Sequence, residues 1–111
     1  MPEDTPVVDT LADITAASIA RSTLEARDHM LARIAALVAV GAPAASYLLN
    51  AGTASEVGIT LDDVEGILVA VAPIVGTPRV VTAGANIADA LGFAIAVAEA
   101  ELEAELEDDE T

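Results

Sequence analysis

The chain has 111 residues, 54% of them hydrophobic but only 2% aromatic, and a formal net charge of −15. Nineteen acids face four arginines (Arg21, Arg27, Arg33 and Arg79) with no lysine, a balance that repels phosphate backbones and anionic lipid and argues against nucleic acid or membrane as partners. The lack of cysteine excludes disulfides, thiol nucleophiles, cysteine metal sites and thiol peroxidase chemistry.

A chain of this length is one domain. Its only aromatics are Tyr47 and Phe93, so Ala, Val, Leu and Ile must build the core. So apolar and short a chain is expected to hide part of its surface against copies of itself, as a homo-oligomer. The acidity fits plain solubility or a high-salt adaptation. The segment MPEDTP lacks the basic start of a secretory signal, and Arg33, Gly41, Pro43 and Asn50 interrupt the least polar window, Ala32 to Gly52. A cytoplasmic protein is therefore expected. The division predicted is a disordered stretch over 1–6, a single all-α domain over 7–107, and a disordered acidic tail over 108–111.

Thr5-Pro6 signals the first helix start, because proline is tolerated in a first turn. Val7, Leu11, Ile14 and Ala17 follow at helical spacing. Ser22-Thr23-Leu24-Glu25 has the form of a capping box and predicts the opening of a second helix. That helix carries Met30, Ile34, Leu37 and Val38 on one face and stops at Gly41. Pro43 opens a third, which ends either at Gly52-Thr53, where Thr53 and Glu56 offer another capping box, or at Gly58. Thr60 and Asp63 open a fourth, with the stripe Val64, Leu68 and Val71, which Pro73 should kink or end, with Gly76 completing the stop. Thr77-Pro78 starts the last helical region, either unbroken to about Glu107 or bent at Gly92. Strand alternation is not sustained outside the acidic run Glu99 to Glu110, whose Ala, Leu and Glu favour helix, so the fold class is all-α, with about five to six helices.

Three segments, ARIAALVAV, ASEVGIT and LDDVEGILVAVAPIVGTPRVVTAGANIADALG, together with the turns Gly58-Ile59-Thr60 and Gly76-Thr77-Pro78, resemble the carboxymuconolactone decarboxylase family, which includes AhpD-type alkylhydroperoxidases. The resemblance covers roughly Arg27 to Glu99. It implies an AhpD-like helical protomer that assembles into trimers or hexamers with pockets between subunits. The peroxidase branch carries Cys-x-x-Cys-x-x-x-His at places that here hold Pro43, Ser46 and Asn50, and the decarboxylase branch has a histidine where Asn50 stands. The chain would thus be a cysteine-less member without a dithiol peroxide-reducing cycle.

Ser46 and Asn50 share a helix face, so they are candidates to hydrogen-bond a small ligand at that inherited place. The alternative is local: Ser46 bonds the carbonyl four residues back and Asn50 pairs nearby. Tyr47 is expected to fill the core or an interface with its hydroxyl satisfied. His29 reads as a half-exposed surface residue; ligand-spaced partners are lacking, and neither a metal nor a cofactor is expected. Arg79 lies in a first helical turn, where the dipole disfavours a cation, so something else must hold it. A structural ion pair would do so, as would the carboxylate of a small ligand, since the decarboxylases of the resembled family act on carboxylated lactones. The reaction, if any, stays open between a non-catalytic ligand-binding oligomer, a decarboxylase or lactone-processing enzyme, and a structural or partner-binding oligomer. The acidic run Glu99 to Glu110 reads as a solvated helix end that frays.

Overall fold

The structure is a computed structural model that describes residues 5–110; the side chains of 93–98 and 108–110 lie outside that description. The described residues form five helices and no strand: α1 (Pro6–Arg21), α2 (Ala26–Val40), α3 (Ala44–Glu56), α4 (Leu61–Val75) and α5 (Thr77–Glu110). Helices α2 to α5 pack on one another. None of the described helices is long and apolar enough to cross a membrane.

The start and stop chemistry decides most boundaries. Gly41 takes the left-handed conformation (φ 72°) and its N–H bonds the Val38 carbonyl, while Ala42 N–H bonds that of Leu37. This is a Schellman ending, which a side chain at Gly41 would strain. Gly58 (φ 81°) ends α3 with the same pair of bonds, from Gly58 to Ser55 and from Ile59 to Ala54. Of the two α3 endings open to sequence reading, the Gly58 one is observed. Helix α4 opens with the full Thr60–Asp63 capping box.

Three details differ from expectation. The Ser22–Glu25 capping box does not form. Ser22 Oγ instead accepts from Leu24 N–H at 3.1 Å, holding the connection extended so that α2 begins at Ala26 with Glu25 as its N-cap. A serine hydroxyl bonding two residues ahead competes directly with helix nucleation. Pro73 does not itself end α4, because it sits in the last turn, where only one donor is missing; the stop comes at Gly76, as expected. Helix α5 passes Gly92 unbroken and continues to Glu110, beyond the expected end, since Ala, Leu and Glu all favour helix. At the other end Thr5 and Pro6 already belong to α1 as N-cap and first residue; residues 1–4 lie outside the described set.

The core is small. Met30, Ile34 and Val38 form the buried stripe of α2, meeting Tyr47, Ile67, Ala83 and Ala90 from the other three helices. Leu37 is half-buried beside them. On α4 the buried residue is Ile67, with Val64, Leu68 and Val71 only half-buried, so the inward face is rotated slightly from the predicted one. Alanines at 83 and 90 let α5 approach the body closely. Helix α1 buries none of its residues.

Candidate functional site

A groove of about 290 Å³ opens between α2, α3, the α3–α4 turn and α5. Ile34 and Leu37 form one wall, Ile87 and Ala90 another, and Tyr47, Asn50 and Ala54 come from α3. The groove depends on Gly58: the Schellman ending of α3 turns the chain so that Ile59, Thr60 and Leu61 close one end. No charged residue lines it among the described residues. It is at the small end of ligand-binding cavities and suits a neutral, mostly apolar molecule.

Two polar groups give this groove direction. Asn50 Nδ2 donates to the Ser46 carbonyl at 2.8 Å, and Asn50 Oδ1 accepts from Arg33 Nε at 3.2 Å. The amide is thereby locked in orientation, with one N–H and one oxygen lone pair unused among the described residues. Tyr47 is 8% exposed, and its hydroxyl is buried without a hydrogen-bond partner among the described residues. Burial pushes the phenol up from its ordinary pKa, because the phenolate would be poorly solvated there. The expectation of a satisfied hydroxyl is therefore corrected. Tyr47 also lines the groove together with Asn50, three residues on.

The predicted site residues do not converge. Asn50 lines the groove, but Ser46 does not; its contribution is the carbonyl that receives Asn50. This is the local pairing of Asn50 foreseen as the alternative. Arg79 is exposed and sits outside the groove, against the C-terminal turn of α2. A Cβ placed on Gly41 would come within 2.6 Å of Arg79 Nη1. The guanidinium thus faces the carbonyl end of α2, where the helix dipole is negative, and this offsets its unfavourable place at the start of α5. Close by, Asn86 Nδ2 donates to the Ala42 carbonyl at 3.2 Å and ties α5 to the same turn.

His29 is half-buried, but its Nε2 is buried without a partner among the described residues, at a second cavity of about 240 Å³ lined by Ile19, Leu24, Met30, Thr53 and Val57. Among the described residues no group of three or more His, Asp or Glu side chains is placed to hold a metal ion. Sequence reasoning passed over Arg33, the residue that orients Asn50. The one signal was a lone charge inside the apolar run ARIAALVAV, and its partner lies 17 residues away, out of reach of any local pattern.

A comparison of the chain with protein-family models, with curated proteins and with solved structures matches none of them.

Proposed function

We propose that this chain is a carboxymuconolactone decarboxylase-like protein that works as a homo-oligomer and binds a small, neutral, mostly apolar molecule in the α2–α3–α5 groove, without thiol peroxidase activity. The observation that carries the reading is the groove itself. Its walls are apolar and uncharged, and at the place where the resembled family keeps a catalytic histidine it presents an amide fixed by Arg33 and by the Ser46 carbonyl. An amide does not titrate near neutrality, so it orients a ligand oxygen instead of moving a proton. Arg79 lies elsewhere, and Arg33, though bonded to Asn50, does not line the groove, so a substrate carboxylate meets no cation on its walls. That favours binding of a neutral ligand over decarboxylation.

The test is thermal stabilisation by a panel of neutral lactones, phenols and medium-chain alcohols. At least one class should raise Tm. Ala54→Phe, which fills the groove while leaving the hydrogen bonds of Asn50 in place, should abolish the shift, and Asn50→Ala should weaken it. Ser46→Ala should keep it, because only the main chain of Ser46 takes part. A panel without any shift, or a shift that survives Ala54→Phe, overturns the reading.

A further inference from the structure

Helix α1 carries an apolar face that its own chain leaves largely exposed; its C-terminal end meets the body, where Ala17 is half-buried and Ile19 lines the second cavity. Val7, Leu11 and Ile14 recur at helical spacing, beside Val8 and Ile19 on the neighbouring stripe, yet Val7 is 71%, Leu11 56% and Ile14 60% exposed. Asp9 and Asp13 lie on the opposite side, so α1 has the amphipathic pattern of a packed helix. An isolated helix of 16 residues with this β-branched content is marginal in water and owes its stability to burial of such a face.

The dimensions of the whole chain show a surplus of exposed surface. A compact protein of 11.2 kDa exposes about 5,700 Å², whereas this chain exposes 7746 Å². Its radius of gyration is 16.3 Å, against about 13 Å for a globular chain of this length. The surplus of roughly 2,000 Å² per chain is shared between the acidic end of α5, exposed over 99–107, and the uncovered apolar faces, and about half of it already matches what each copy contributes to an obligate assembly. Uncovered apolar residues also occur on the body, at Val40, Leu49, Val69 and Ile74, on several different elements. One foreign partner seated on α1 would leave those faces bare. A second copy supplies an α1 and a body at once, so reciprocal contacts can cover both.

We propose that the Val7–Leu11–Ile14 face of α1 is the assembly surface, buried against a second copy of this chain. The inference rests on the homo-oligomer part of the function proposed above and names its interface. Each copy brings a charge of −15, so association works against like-charge repulsion that reaches about 30 Å at 0.01 M salt and about 8 Å at 0.15 M. Assembly is therefore favoured by salt.

The experiment is light scattering coupled to size exclusion at micromolar concentration, in 0.01 M and 0.5 M sodium chloride. The expected result is a multiple of 11.2 kDa at high salt, with partial dissociation at low salt. Leu11→Asp with Ile14→Asp should give 11.2 kDa at both. Since Leu11 and Ile14 are both exposed in their own chain, the variant should keep the helical circular dichroism of α2 to α5 and a cooperative melt. A conservative control, Leu11→Met with Ile14→Leu, should assemble like the parent. A monomer at every salt concentration overturns both this inference and the homo-oligomer reading. An oligomer that persists in the double aspartate variant overturns the α1 interface alone. Ligand stabilisation is read separately, so its failure touches the groove and not α1.

Discussion

Replacing Tyr47 by phenylalanine should stabilise this protein. The ring is 8% exposed and stays in place, so the substitution removes only a hydroxyl that is buried without a partner among the described residues. In the unfolded chain that hydroxyl bonds water, and burying it unpaired costs on the order of 1–3 kcal/mol. Loss of its dispersion contacts offsets part of the gain, leaving a net of about 1 kcal/mol. At about 2.1 cal/mol/K per residue, the unfolding entropy of 111 residues is roughly 0.23 kcal/mol/K, so Tm should rise by about 4 °C. The effect grows in alkali. The folded-state pKa is raised by burial, so above about pH 10 the unfolded chain releases the proton first and binds fewer protons than the native state. The Tyr47 contribution is fully present below that pH and is lost as pH climbs through the raised folded value; phenylalanine removes this alkaline limb. Guanidinium melts of both proteins at pH 7 and pH 10.5 provide the measurement. A phenylalanine variant less stable by about 1 kcal/mol at pH 7 would refute the reasoning, because it would mean that the hydroxyl makes a good hydrogen bond in the folded assembly.

Two glycines should respond oppositely to alanine. Gly41→Ala should cost about 1–2 kcal/mol, since φ is positive there and the new Cβ would meet Arg79 Nη1, whereas Gly66→Ala, with open space around it inside α4, should gain about 0.5–1 kcal/mol. Denaturant melts that show equal effects would rule out this account of the α2 ending. Asp63 offers a test at acid pH. Its carboxyl is held below the ordinary value first by the Thr60 backbone N–H and then by Arg27, whose Nη2 lies 2.6 Å from Oδ1. A lowered folded value means that stability from Asp63 is present above the ordinary carboxyl range near 4 and is lost as pH falls through the lowered value. The stability gap between wild type and Asp63→Asn should therefore shrink between pH 4 and pH 2.5. A gap that stays constant over that range would rule Asp63 out as the cause.

Sequence alone determined the class and most of the joints of this protein. Glycines at 41 and 58, the Thr60–Asp63 pair and Pro6 act within one helical turn of their own chain, so their consequences can be read from neighbouring residues. Even so, Ser22–Glu25 shows the limit of such motifs: the hydroxyl found a closer donor at Leu24 and the box never closed. Lack of cysteine excluded thiol chemistry without reference to any fold. Tertiary structure alone decided what the polar residues do. Arg33 reaches Asn50 across 17 positions, Arg79 rests on the end of α2 and not in the groove, and Tyr47 loses its hydroxyl partner by being buried. The same holds for α1. Its amphipathic pattern is legible in Val7, Leu11 and Ile14, but only the folded chain shows that the face is left uncovered. The physical reason is range. Caps and turns depend on bonds between residues a few positions apart, whereas burial and pairing depend on which distant surfaces the completed fold brings together.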